Sequence, residues 1–217
     1  MLERIAPAPP DAILGLTEAF NEDSHPHKVN LGVGVYRDEH GRTPVLEAVR
    51  EAESRLARED RPKTYLPITG SPQLAACVQD LLLGEGHALR EAGRLCTAQT
   101  PGGTAALRVG ADLLKAFFPD ATLWLSRPTW ANHRGVFGAA GFEPADYPYL
   151  DESGRAIDRQ ALLEGLAKVP AGDIVVLHAC CHNPSGLDPD ADLWQAIADC
   201  AEAGGWLPFL DFAYQGF

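Results

Sequence analysis

The 217-residue chain has no run near the roughly 18 uninterrupted apolar residues that a membrane-spanning helix requires. Its opening residues, Met1-Leu2-Glu3-Arg4-Ile5, lack the basic and then apolar order of a secretory signal. Positive charge is scarce. Eighteen Lys and Arg stand against 30 Asp and Glu, giving a net charge of −12, and the basic residues form no stripe. Such a surface repels a phosphate backbone, so nucleic acid is not an expected partner. Cysteines are few and odd in number: Cys77, Cys96, Cys180, Cys181 and Cys200. With no secretory signal, reduced thiols in a reducing compartment are the simplest reading. A soluble, cytoplasmic protein without a membrane partner is expected.

What is present points to a globular fold. With 46% hydrophobic and 22% charged residues, the chain is long enough for one large domain, or for one domain and part of another. Pro7, Pro9 and Pro10 keep the start extended, and Asp11 is placed to cap a short helix carrying Ile13, Leu14, Leu16 and Phe20. Residues 29–36 (Val-Asn-Leu-Gly-Val-Gly-Val-Tyr) are too rich in glycine for an ordinary strand, and Gly32 and Gly34 suggest backbone approaching a ligand. They do not form a dinucleotide fingerprint, because the third glycine is missing and no helical pattern opens behind them.

From residue 45 onward, helical and strand patterns alternate. Residues 45–59 read as an amphipathic helix, with Leu46, Val49 and Leu56 on one side and Glu51 four residues before Arg55 on the other. Further helices are expected at 72–83, 104–118, 130–140, 159–168 and 190–203. Strands are expected at 95–99, 121–126, 143–149, 174–178 and 206–210. This order implies an α/β fold: an open, mostly parallel sheet with helices on both faces, wound by right-handed crossovers. We expect residues 1–43 to form an N-terminal arm and part of a small domain, and 44–217 a larger domain. The helix in the 190s shows the local signals. Asp188 is placed to cap it, Pro189 to occupy its first turn, and Asp190 and Asp192 to complement its dipole. Gly204 and Gly205 end it, and Leu193, Ile197 and Ala201 face the sheet.

Ligands in open α/β sheets bind beyond the carboxyl ends of the strands, and the unusual residues of this chain fall there. Gly102-Gly103-Thr104 precedes a helix with an inward stripe of Leu107, Ala111, Leu114 and Phe118. Two glycines let backbone N–H groups approach an anion, and Thr104 adds a hydroxyl; the plainer alternative is a turn with a threonine cap. No Lys-Ser or Lys-Thr follows, which excludes a P-loop. Trp130 follows a strand and a Pro-Thr turn, where its indole either fills the core or lies over a flat ligand. His133, one helical turn later, is either a structural histidine or a partner to a carboxylate.

The block His178, Cys180, Cys181, His182 invites a metal, but neighbouring residues converge poorly on one tetrahedral ion, and no metal is expected. Asn183-Pro184-Ser185-Gly186 is a turn able to fix the Asn183 amide towards the cleft, and a cis bond before Pro184 would serve that end. Asp211 ends the apolar run Trp206-Leu207-Pro208-Phe209-Leu210. A carboxylate there requires a cationic partner or good hydrogen bonds. Together with Tyr214 and Asn183 it suits a cationic ring nitrogen at one edge of a flat ligand and an oxygen substituent at another.

At these residues the chain resembles the aspartate/aromatic aminotransferases, pyridoxal-phosphate enzymes of fold type I. The resemblance runs from Asp11-Ala12-Ile13-Leu14-Gly15-Leu16 through residues 29–36, Gln99-Thr100-Pro101-Gly102-Gly103-Thr104 and Cys180-Cys181-His182-Asn183-Pro184-Ser185-Gly186 to Asp211-Phe212-Ala213-Tyr214-Gln215-Gly216-Phe217. It implies pyridoxal 5′-phosphate as cofactor. Asp211 would pair with the pyridine nitrogen, Asn183 and Tyr214 would bond the phenolic oxygen, and Trp130 would stack on the ring. Gly102, Gly103 and Thr104 would hold the phosphate, His133 would brace Asp211, and Tyr65 would reach the phosphate of a neighbouring subunit. Gly34, Trp130 and Asn183 would contact the substrate. In that family the Schiff-base lysine and the carboxylate-binding arginines follow the Asp-x-Ala-Tyr motif. Lys28, Lys63, Lys115 and Lys168 match no such position, so the chain resembles the N-terminal half and carries no catalytic lysine.

The expected activity is transfer of an amino group between aspartate or an aromatic amino acid and 2-oxoglutarate, in a protein that is a homodimer at full length. Val35, Thr43 and Thr104 match the aspartate-type pattern; Tyr65-Leu66-Pro67 and residues 109–119 match the aromatic type. Two other readings compete. One is a non-catalytic, truncated chain that binds cofactor weakly or only pairs with a partner chain. The other is a nucleotide-binding α/β domain, which finds no use for Asp211 and Tyr214.

Overall fold

The computed structural model describes residues 12–28, 36, 38–59 and 62–216. The expectations for residues 1–11 and 29–35, Gly34 among them, lie outside the described residues. The chain divides into two compact units, Met1–Thr64 and Tyr65–Phe217.

The first unit holds helices α1 (Ala12–Glu22) and α2 (Glu47–Arg58). Lys28 Nζ donates to the carbonyls of Phe20 and Asp23 at 2.6 and 2.7 Å, closing the segment that follows α1. Along α2, Arg55 Nε donates to Glu51 Oε1 at 2.8 Å, the pair expected from their spacing. Leu46 at its N-cap and Val49 and Leu56 within it are all exposed.

The second unit is built on four parallel strands: β1 (Leu123–Arg127), β2 (Ala145–Pro148), β3 (Ile174–His178) and β4 (Leu207–Asp211), in the order β2-β1-β3-β4. The helices are α3 (Pro72–Leu83), the single turn α4 (Ala88–Glu91), α5 (Gly103–Phe117), α6 (Asn132–Ala139), α7 (Arg159–Leu166) and α8 (Ala191–Gly204). Alternating side chains of β3 separate two cores. Ile174 and Val176 join Leu123, Leu125, Leu107 and Phe137 on the α5 and α6 side. Val175 and Leu177 join Leu162, Leu166, Leu193 and Ile197 on the α7 and α8 side. A strand covered on both faces reads as a continuous apolar run, as Ile-Val-Val-Leu does. Each fully buried Leu or Ile contributes about 1.5–3 kcal/mol.

The strand order places a switch point between β1 and β3, because the chain winds outward to β2 from one and to β4 from the other. The crevice beyond their carboxyl ends is where an open α/β sheet receives a ligand.

Several expectations require correction. Residues 95–99 form no strand; Gln99 N donates to Thr69 O at 2.9 Å, but no ladder continues it, and a strand needs a paired neighbour. Phe118 is not part of the inward stripe of α5, because the helix ends at Phe117 and Phe118 is 46% exposed. The cap of α8 is Asp190, whose Oδ1 accepts from Leu193 N at 2.8 Å, rather than Asp188. The helix closes on Gly205 in the left-handed conformation (φ 67°), which a residue without Cβ adopts at low cost. Both Arg127-Pro128 and Asn183-Pro184 are cis. Among the described residues, no helix is long and apolar enough to cross a membrane.

Candidate active site

A cavity of about 260 Å³ opens at the switch point. Its walls come from segments far apart in sequence: Gly103 and Thr104 at the start of α5, Trp130 after β1, His178 and Asn183 at and beyond the end of β3, and Asp211 and Tyr214 at and after the end of β4. Leu107, Cys180 and Ala213 complete it. No lysine among the described residues lines it.

On one side stands the N-terminus of α5. Gly102 occupies the cap position at φ 89°, ψ 173°, a combination nearly restricted to glycine, and no side chain caps the helix. The first-turn N–H groups therefore face an end carrying partial positive charge, suited to an anion.

On the other side the Asp211 carboxylate is held from behind. His133 is fully buried, and its Nε2 lies 2.9 Å from Asp211 Oδ2. Ala213 N donates to the other carboxylate oxygen at 3.2 Å. The hydrogen bond from His133 holds the Asp211 carboxyl below the usual carboxylate range and outweighs burial, which acts in the opposite direction. Asp211 thus presents a fixed negative charge.

A directed hydrogen-bond chain runs behind these groups. Asn183 N donates to His178 Nδ1 at 3.0 Å. That leaves His178 Nε2 to donate, weakly at 3.5 Å, to Thr129 Oγ1, which in turn donates to His133 Nδ1 at 2.8 Å. His133 Nε2 then donates to Asp211. Every donor is used once, and this order assigns the tautomer of each ring from its neighbours. Burial, aided by the neighbouring His133, lowers His178 to about 4.

His133, His178 and Asp211 have donor atoms within 4.8 Å of one another, a spacing compatible with a metal. The nitrogens of both rings are already engaged in the chain just described, so an ion would have to displace those bonds. At the cavity wall, Asn183 Nδ2 donates to the Tyr214 hydroxyl at 3.2 Å, joining two residues 31 apart. Trp130 is half-buried and stands edge-on over His133, with ring centroids 5.4 Å apart.

The cavity therefore gathers Gly103, Thr104, Trp130, Asn183, Asp211 and Tyr214, with His133 beneath it and Gly102 at the adjoining helix cap. It does not gather Tyr65, which is fully exposed, and Gly34 is outside the described residues. His178 was singled out in sequence only within the rejected metal block His178, Cys180, Cys181, His182, and Cys180 there and as the first residue of a resemblance motif. The position of His178 at the last residue of a central strand was the signal that it belongs to the cleft.

A parallel α/β sheet with an uncapped helix start facing a buttressed carboxylate across its switch point is a frame suited to a flat ligand charged at both ends. The chain belongs to the class I and II aminotransferases, whose family model matches residues 26–217. It is 50% identical over its whole length to an aspartate aminotransferase of Salmonella typhi and 44% identical over 214 residues to an aromatic-amino-acid aminotransferase of Pseudomonas aeruginosa. It covers 55% and 53% of those proteins. Among solved structures it matches an aromatic amino acid aminotransferase from Burkholderia cenocepacia, with TM-score 0.95, 50% identity, and coverage of 100% of this chain and 55% of that one. Another, from Burkholderia pseudomallei, is covalently bound to pyridoxal phosphate and matches with TM-score 0.95 and 48% identity, covering 100% of this chain and 54% of that one. The chain thus spans about half the length of the relatives it matches.

Proposed function

We propose that this chain supplies the cofactor-binding half of a transaminase that uses pyridoxal 5′-phosphate. The observation that carries the reading is the Asp211 carboxylate, kept ionised by buried His133 at one side of a cavity whose other side is an uncapped helix start. Those two charges suit a flat ligand with a basic ring nitrogen at one end and a phosphate at the other. The residues present fit that group. Gly102, Gly103 and Thr104 would hold the phosphate, Asp211 the ring nitrogen, Asn183 and Tyr214 the ring oxygen, and Trp130 the ring face.

When bound, the cofactor supplies an electron sink for chemistry at the substrate α-carbon. The role of Asp211 is to keep the ring nitrogen protonated, and that of His133 is to keep Asp211 charged and oriented. Tyr65, being exposed, is free to reach the phosphate of a second subunit in a homodimer, and Gly34 would lie beside the substrate. We assign residues 1–43 to an arm and part of a small domain, and 44–217 to the cofactor-binding domain, in a cytoplasmic enzyme. The amino donor is aspartate or an aromatic amino acid and the acceptor 2-oxoglutarate. Relatives of both types align over nearly the whole chain.

A comparison of pyridoxal 5′-phosphate with pyridoxal tests the cofactor reading. The phosphorylated form should bind at least tenfold more tightly, and inorganic phosphate should compete with it. Equal binding of the two would overturn the role of the α5 terminus. Transamination of 2-oxoglutarate with aspartate or with phenylalanine, followed as glutamate formed, separates the two substrate classes. The absence of a lysine from the cavity wall favours a second reading, a chain that binds the cofactor without turning over. Under that reading, cofactor binding persists and no glutamate forms with either donor.

A further inference from the structure

Asp188 does not cap α8, and the two groups it does hold define a separate role. Its Oδ2 accepts from Cys181 N at 2.6 Å and its Oδ1 from His182 N at 2.8 Å. The next backbone N–H, that of Asn183, donates to His178 Nδ1 at 3.0 Å. Three consecutive amides are thus bound by side chains in a loop that belongs to no strand or helix. Cys181 within it has φ 51°, a conformation disfavoured for a residue with a Cβ and maintained only where surrounding bonds impose it.

The opposite side of the loop is fixed by His182, which is 1% exposed. Its ring stacks on Tyr149, with centroids 3.9 Å apart and planes at 11°, while Nε2 meets Ser126 Oγ at 3.0 Å and Nδ1 meets Ser185 Oγ at 2.7 Å. The Tyr149 hydroxyl donates to Leu187 O at 2.6 Å, so both ends of the loop are pinned to one aromatic stack. The side chain this arrangement delivers to the cavity is Asn183, set against the Tyr214 hydroxyl.

We infer that Asp188 is a positioning residue, which acts on the cofactor only through Asn183 by fixing the backbone that carries it. Asp188 itself does not line the cavity. The inference rests on the cofactor reading above.

The test is a double-mutant cycle read by absorbance titration with pyridoxal 5′-phosphate, using the chain with Asp188→Ala, Asn183→Ala and both together. Asp188→Ala should weaken binding about fivefold, because Asn183 is then no longer held in place at the cavity wall. In the Asn183→Ala background the same change should have no further effect. Asp188→Asn keeps one acceptor and should fall between wild type and Asp188→Ala; it carries the test if far-UV circular dichroism shows the alanine variant unfolded. Equal weakening by the Asp188 change with and without Asn183 would show a merely structural role and overturn the inference, as would no weakening at all. If the unsubstituted chain fails to bind, the cofactor reading itself falls and takes this inference with it.

Discussion

His133 has no solvent exposure, and both of its ring nitrogens are committed, one to Thr129 and one to Asp211. His133→Ala should therefore leave Asp211 facing a void, raise its carboxyl towards the ordinary range and weaken pyridoxal 5′-phosphate binding most at low pH. Titrations at several pH values check this. His178 and His182 provide a pH dependence of stability. Burial lowers both to about 4, whereas an unfolded imidazole titrates near ~6.5. The unfolded chain thus takes up protons first as pH falls, and stability declines progressively from about 6.5 towards 4. Urea midpoints measured across that range should fall, and His182→Gln should flatten the decline; a flat profile in the unsubstituted chain would contradict this. That Asp211 requires a partner was legible in the sequence, because a carboxylate ends an apolar strand; that His133 is this partner was implied only by the family resemblance, and a hydrogen bond joins the two. The continuation of the chain through Thr129 and His178 was not legible, because it depends on side chains meeting across two strand ends.

Gly102 places the start of α5 in a conformation that a residue with a Cβ adopts only at a cost of about 1–3 kcal/mol. Gly102→Ala should lower stability by that order in denaturant unfolding and reduce the preference for pyridoxal 5′-phosphate over pyridoxal. The two aspartates before α8 should behave differently. Asp190→Ala removes the cap, and the melting temperature should fall by a few degrees with cofactor affinity unchanged, the opposite pattern from Asp188→Ala. By local rules Asp188 reads as the cap and Asp190 as a complement to the dipole, whereas the loop that engages Asp188 leaves the cap to Asp190. Elements with a strong local pattern were read well: α3 and β3 have the residue bounds expected for them, and the cis bond before Pro184 is present. Residues 95–99 were misread because their apolar pattern does not reveal whether a neighbouring strand exists. The single turn α4 is too short to show a period.

Both long sides of α5 are apolar. Leu107 and Ala111 face the core, while Val109, Leu113 and Phe117, at successive four-residue spacings, are 50%, 58% and 72% exposed. An exposed apolar row of this kind is ordinarily a contact surface, so the chain is expected to self-associate. Its net charge of −12 opposes this, and association should strengthen as salt screens that repulsion. Sedimentation velocity at low and high salt should show it, with Leu113→Glu reducing it; a concentration-independent monomer in both salts would contradict the expectation. The parallel order of the sheet was legible from alternating helices and strands, whereas the exposed side of α5 was not, since an apolar residue does not announce what covers it. The most direct measurement is an absorbance titration of the chain with pyridoxal 5′-phosphate beside its Asp211→Ala variant, each followed by borohydride reduction and peptide mapping. The account requires saturable binding that is lost on Asp211→Ala, with no pyridoxyl group left on any of the four lysines. Binding indifferent to Asp211, or a single modified lysine, would contradict it.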